Sequence, residues 1–451
     1  MQVLPLPSAL GTDAEGENLV GVVALLEHLL TLRAGEALVG VLLELAVPEP
    51  LPRRFHAIVL GALFKKRTGQ LDRGPAGFWS PRPQGEVMEY VQERVTTLHD
   101  LTDPTPAAPT DRAAVVVPMT EREYGGLAPD RVLSELEALD PGHVVVPLRA
   151  TADRVDDFYD WLDGFDLSLS VLWCNGPRLE SLLDEHGLDG AVGKGRDVWL
   201  GLGQALDREY VVVHDADTKS YSRADVSRLL FPLAHGYDFA KGYYARVEND
   251  RLYGRLFRLF FVPLVRALSE GRDDAAVLRY LEAFRYALAG EFAATTELAA
   301  TFRPQRSWGL EVGTLGDAFD HAGFDGSAQV DLGTYEHDHR AVSGPTGLSD
   351  MSEHVGAALF RVVTESGIDP DYETLPDRYR SAAKSLVRSY ELDARFNGLA
   401  YDRADELDQI ETYAEAIDPP GTDRRLPAWA DAPLSPGDVA DAAAEDVEAV
   451  R

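Results

Sequence analysis

The sequence predicts an α/β fold: a mostly parallel sheet flanked by helices, with helical additions at the N- and C-terminal ends. Three observations predict it. Between residues 113 and 214, apolar β-branched runs alternate with helix-like stretches, the β-α-β order that produces parallel strands. The strongest run, Val211-Val212-Val213, ends in His214-Asp215-Ala216-Asp217. Carboxylates at the C-terminal end of a strand stand where open α/β sheets bind ligands. Finally, 451 residues with 45% hydrophobic content are enough for a large core and two or three domains.

The elements follow in order. Residues 1 to about 70 read as helical, because Leu25, Leu29 and Leu32, then Val41, Leu42 and Leu45, recur at helical spacing. Lys65-Lys66-Arg67 is a basic spot that reads as a solvated helix end or a partner contact. The Pro/Thr-rich run from Asp100 to Asp111 reads as a linker. Strands are expected at Ala113–Val117, His143–Leu148, Leu167–Trp173 and Val211–His214, with helices at Val132–Leu139 and Val155–Leu162. The aromatic segment Arg255–Leu268 reads either as a core helix or as an interfacial helix meeting a lipid. Helices are expected at Val355–Ser366, Leu375–Leu392 and Arg403–Ala416. The resulting division is 1–110 as a helical N-terminal region and linker, 111–345 as the catalytic domain, and 346–417 as a helical region. Residues 418–451 complete it as an acidic, solvated tail.

Composition excludes several classes. Formal charge is −32, with six lysines (65, 66, 194, 219, 241 and 384) among 43 basic residues. An acidic, lysine-poor chain that is otherwise ordinary suits high salt, where screening keeps dense carboxylates tolerable. It argues against nucleic acid, which needs a basic footprint. The single cysteine, Cys174, permits no internal disulfide, and no signal peptide is visible, so a cytoplasmic setting is expected. Leu19 to Val47 is apolar, yet it carries Glu27, Arg33, Glu36 and Glu44, so no transmembrane segment is expected.

Alternation along an extended chain points Asp215 and Asp217 to one side, and hard oxygen ligands there suit Mg²⁺ or Mn²⁺ bridging to phosphates. A strand ending in an Asp-favoured turn is the plainer alternative. Around this pair stand four further elements. Val115-Val-Val-Pro-Met-Thr-Glu-Arg-Glu123 is a strand that runs into acidic residues. Gly193-Lys194-Gly195 frees the backbone around a lysine but lacks the Walker spacing. Leu288-Ala-Gly-Glu-Phe292 is followed by Trp308-Gly-Leu-Glu311, and Gln329 to His337 places a histidine 120 residues beyond Asp217.

In this order the set resembles the glucosyl-3-phosphoglycerate synthase family of GT-A-fold glycosyltransferases (nucleotide-diphospho-sugar transferase-like), and more distantly mannosylglycerate synthase. The resemblance covers about residues 112 to 345. It implies a retaining, metal-dependent transfer of glucose or mannose from UDP-glucose or GDP-mannose to a small anionic acceptor such as 3-phosphoglycerate or glycerate. It implies Asp217 and His337 as ligands of Mg²⁺ or Mn²⁺, with Asp215 beside the ribose or the metal. Pro118, Thr120 and Glu123 resemble the base pocket, Lys194 the donor-binding lysine, and Gly290 with Glu291 a loop lining the sugar. Glu311 matches the carboxylate near the sugar and the acceptor hydroxyl; with Asp217 it forms the implied catalytic pair. Arg255, Arg246 and Asp250 match acceptor positions. Four positions depart from the pattern. Thr120 stands for Asn, and Pro147-Leu-Arg-Ala-Thr-Ala-Asp153 replaces an Asp/Ser-rich strand end, which leaves the base and sugar open. Phe257 and His339 stand for a phosphate-binding Thr and an Asn, which leaves the acceptor open. A lipid or glycan acceptor, and a non-catalytic nucleotide-sugar-binding protein, are the alternatives; a homodimer is left open.

Overall fold

Valine runs account for the centre of the molecule. Val115–Val117, Val144–Val146 and Val211–Val213 are all fully buried, and each such side chain contributes about 1.5 kcal/mol or more on leaving water. The structure is a computed structural model that describes residues 94–99, 105–338 and 345–451. The chain divides into two units, Met1–Val87 and Met88–Arg451, and every described element belongs to the second. The expected N-terminal helices, Lys65-Lys66-Arg67 and His339 lie outside the described residues.

The strands, in chain order, are β1 (Thr96–Leu98), β2 (Ala113–Val116), β3 (Met119–Thr120), β4 (His143–Arg149), β5 (Leu169–Trp173), β6 (Tyr210–Val213), β7 (Phe239–Ala245), β8 (Val247–Glu248), β9 (Arg251–Leu252), β10 (Phe292–Thr295) and β11 (Ser327–Thr334). They form one large sheet in the order β1-β11-β7-β10-β6-β2-β4-β3, with β5 also on β4 and the β8–β9 hairpin apart. All its pairings are parallel except those of β10, which runs antiparallel to β6 and β7. Alternation sorts the side chains. Val116, Val211, Val213, Phe239 and Phe292 face one core, while Val115, Val144, Val146, Val212 and Ala293 face the other.

The helices are α1 (Leu127–Leu139), α2 (Ala152–Leu162), α3 (Pro177–Glu185), α4 (Lys194–Ala205), α5 (Arg223–Leu233), a π-helix (Leu256–Phe261) running into α6 (Val262–Ser269), α7 (Ala276–Ala283), α8 (Leu310–His321), α9 (Pro345–Glu365), α10 (Leu375–Phe396), α11 (Arg403–Ala414) and α12 (Pro436–Glu448). Helix α4 packs on β2 and β4, and α5 on β7 and β10.

Two sequence expectations change, and one open reading is decided. Residues 96–98 belong to the sheet, pairing Thr96–Leu98 with Ala328–Val330; three residues are too few to show a period. The segment Arg255–Leu268 takes the core reading of its two, with a π-helical start in place of a regular helix. Leu259, Phe260, Phe261, Leu264, Val265 and Leu268 are buried in the core that α9, α10 and α11 share with the sheet. Residues 418–451 are no solvated tail. Trp429 stacks on Trp199 of α4 at 4.1 Å and 9°, the two indole N–H groups donate to Pro427 O and Trp199 O, and α12 packs on α3, α4 and β5. Asp446 caps α3, accepting from the amides of Arg178 and Leu179 at 2.9–3.0 Å. A polar, Ala-rich composition hid this helix, whose burial rests on few large side chains.

Candidate active site

A cleft of about 710 Å³ opens over the carboxyl ends of β2, β4 and β6. Pro118, Thr120, Glu123, Lys194, Asp215, Asp217, Gly290, Glu311, His337, Arg246 and Arg255 all line it. Most of the residues singled out from sequence therefore meet in one place.

Local folding explains the convergence. Strand β6 is hydrogen-bonded between β2 and β10, so its end projects Asp215 and Asp217 into the cleft. The segment beyond Asp217 is clasped by the end of β11. Thr218 and His337 form an antiparallel bridge, the Asp338 amide donates to Asp217 O at 2.8 Å, and the Lys219 amide donates to Glu336 O at 2.7 Å. This clasp brings His337 alongside Asp217. Tyr335 stacks on Tyr244 at 4.2 Å, with the His337 ring 5.8 Å from Tyr335.

Lys194 opens α4, and its ammonium lies 2.5 Å from Asp215 Oδ1 and 3.6 Å from Glu311 Oε1. Burial works against that charge, but Asp215 and then Glu311 outweigh it and raise the lysine pKa. Burial likewise opposes charge on Asp215, and Lys194 more than offsets it, holding Asp215 below its ordinary value. Gly195 is required here. A Cβ on it would lie 1.7 Å from Gln305 O, and the adjacent Arg196 amide donates to Arg306 O at 2.9 Å. The Gly-Lys-Gly turn is thus the price of docking α4 against the strip that leads to Trp308 and Glu311. Gly290 serves similarly, since a Cβ there would meet Asp215 Oδ2 at 2.7 Å. Glu311 stands in the first turn of α8, where the helix dipole favours a carboxylate.

A divalent ion fits the remaining groups. Burial and then the Asp215 charge push Asp217 well above the usual carboxylate range, while Lys194 neutralises Asp215. Among the described residues, no three His, Cys, Asp or Glu side chains gather into a metal cage. Asp217 and His337 both line the cleft and would suit Mg²⁺, which is held by one or two side chains with phosphates and water completing the shell. Asp215, expected beside the ribose or the metal, pairs with Lys194.

Two further positions are corrected. Glu291 is fully buried and does not line the cleft; it lies beneath Gly290, its pKa raised by burial and then by Asp215. Asp250 sits at the tip of the β8–β9 hairpin with φ 57°, beside Asn249 at φ 49°, and does not line the cleft. This pair is the left-handed turn that a two-residue hairpin needs. Of the acceptor candidates, Arg246 donates to the Tyr286 hydroxyl at 3.4 Å. Arg255 pairs with Asp405 and Glu406 of α11. Phe257 joins them in the lining.

Sequence reasoning missed Arg149, Asp197, Tyr244 and Arg251, which also line the cleft. Only Arg149 left a signal, at the altered end of β4.

A cleft over the ends of parallel strands, an acid pair on the central strand and a helix-opening lysine facing it define a GT-A-type nucleotide-diphospho-sugar transferase. The chain is 34% identical over 376 residues to the glucosyl-3-phosphoglycerate synthase of Methanococcoides burtonii, covering 76% of this chain and 93% of that one. It is 35% identical over 321 residues to that of Persephonella marina, covering 67% and 79%. The chain belongs to the glucosyl-3-phosphoglycerate synthase family. The Mycobacterium tuberculosis enzyme in complex with Mn²⁺, UDP-glucose and phosphoglyceric acid has a TM-score of 0.48 at 24% identity, covering 62% of this chain and 90% of that one. No protein-family model matches the chain.

Proposed function

We propose that the protein transfers glucose from a nucleoside-diphosphate glucose to 3-phosphoglycerate, with Mg²⁺ or Mn²⁺ held by Asp217 and His337 and with retention at the anomeric carbon. The observation that carries this reading is the Lys194–Asp215–Glu311 cluster, set beside Gly290 in the cleft where Asp217 and His337 meet. The bound ion would offset charge on the departing diphosphate. Lys194 adds a fixed cation at the same end, positioned before reaction by Asp215. Gly290 lets the sugar approach the chain closely. Glu311 accepts a hydrogen bond from the acceptor hydroxyl and orients it toward the anomeric carbon. Arg246 and Arg251 also line the cleft, with Arg255 held there by Asp405 and Glu406, and guanidinium groups suit a phosphate and a carboxylate.

The acidic composition and the buried Cys174 support a cytoplasmic setting with high salt. Among the described residues, no helix is long and apolar enough to cross a membrane. Leu392 and Phe396, 59% and 90% exposed, lie one turn apart on α10 and support self-association as a dimer, which light scattering tests directly.

Purified protein with Mn²⁺, a nucleoside-diphosphate glucose and 3-phosphoglycerate should release nucleoside diphosphate and form a phosphorylated glucoside. No release with any donor, or release indifferent to the phosphorylated acceptor, would count against the reading.

A further inference from the structure

We infer that Arg149 reads the nucleobase of the donor and that the base it selects is guanine; the inference rests on the nucleotide-sugar reading of the cleft. Arg149 is the last residue of β4. Strand β2 lies between β4 and β6, so Arg149 stands two strand spacings, about 10 Å, from the strand that bears Asp215 and Asp217. A nucleotide whose diphosphate lies over those acids reaches across β2 with its ribose and presents its base at the end of β4. The register agrees. Thr120 of β3 is paired with Arg149, and both line the cleft with Pro118 and Glu123.

Arg149 is built in rather than loose. Its Nε donates to Asp197 Oδ2 at 2.9 Å, and Asp197 is 2% exposed in the first turn of α4. That anchor belongs to the same helix that opens with Lys194, so the base end and the diphosphate end of the cleft are held by one element. The two terminal nitrogens of Arg149 take no hydrogen-bond partner among the described residues. A guanidinium fork fixed at Nε offers two parallel N–H donors. Guanine answers with two adjacent acceptors, O6 and N7. Uracil offers a single carbonyl beside a C–H, and adenine puts an amino donor next to N7. The chemistry therefore ranks guanine first, uracil second and adenine last.

The test is titration of the full chain with GDP, UDP and ADP in the presence of Mn²⁺. Wild-type protein should bind GDP about tenfold more tightly than UDP, the discrimination one good bidentate contact supplies, with ADP weakest. Arg149→Ser should weaken GDP and leave UDP little changed, so that the ratio collapses toward one. Arg149→Lys keeps the charge beside Asp197 but lacks the fork. It should lose the preference too, and so separates base reading from simple support of Asp197. UDP bound as tightly as GDP by the wild type, or both nucleotides weakened equally by Arg149→Ser, would overturn the inference and leave the donor site standing. Failure to bind any nucleoside diphosphate would remove the donor site itself and this inference with it.

Discussion

The Lys194 ammonium and the Asp215 carboxylate lie 2.5 Å apart at the end of β6, with each side chain about one quarter exposed. Of the twenty residues between them, eleven belong to α4 and four to β6, so the contact ties a helix start to a strand end. The pair leaves Asp217, on the same strand end, facing the cleft beside a carboxylate that already has its cation. Removing one partner of such a contact leaves the other desolvated and unpaired. Lys194→Met should cut turnover by about 100-fold, the scale of losing one preorganised donor, and lower the melting temperature. Steady-state kinetics with thermal unfolding checks both.

Asp217 gives the opposite stability effect. Two neighbouring carboxylates raise the free energy of the metal-free protein. Asp217→Asn should therefore raise the melting temperature in EDTA while abolishing both transfer and the Mn²⁺-induced stabilisation. His337→Ala should abolish transfer and the Mn²⁺ response without the gain. Melting curves with and without Mn²⁺ decide this, and a retained Mn²⁺ shift in either variant would sink the ligand assignment.

Buried acids set the pH response. Burial raises Asp225 and Asp317 to about 6, and burial followed by the Asp215 charge raises Glu291 further. A carboxyl group raised on folding stabilises the native state while protonated and loses that contribution as pH climbs through its native value. Stability should thus fall from mildly acidic pH through neutrality. Glu291→Gln should flatten the upper part of that fall, read as melting temperature against pH.

The C-terminal segment should be indispensable. Trp429 is buried against Trp199, and a Cβ on Gly203 would meet its ring at 2.4 Å. Trp429→Ala should cost about 3–5 kcal/mol, as large-to-small core changes do, measurable by denaturant unfolding.

Salt should act on the whole molecule. With a formal charge of −32, raising KCl from about 0.1 to about 1 M shortens the screening length from about 10 to about 3 Å. The melting temperature should rise across that range. A flat response would remove the high-salt reading.

The sheet was legible where burial demanded it. Val144–Val146 and Val211–Val213 are buried on both faces, and continuous β-branched runs are what such strands look like. Thr96–Leu98 was not legible, because a three-residue edge strand leaves no period. The site was legible as motifs in order, since Gly195 and Gly290, where a Cβ would collide with a neighbour, flank Lys194 and Asp215 in the cleft. Asp197 was not, and neither was its contact with Arg149, which spans 48 residues; only the altered end of β4 marked Arg149. Glu291 misled because it directly precedes β10 and is buried there, while its neighbour Gly290 lines the cleft.

The clasp between Thr218 and His337 also orders events in time. A ribosome adds about 5–20 residues per second, so the 120 residues from Asp217 to His337 take about 6–24 s to appear. Until then the nascent chain has its acid pair without its histidine. With Asp217 and His337 as the proposed pair of ligands, a half-made chain would lack one of them, and the pair would be complete only once the last strand of the sheet has been made.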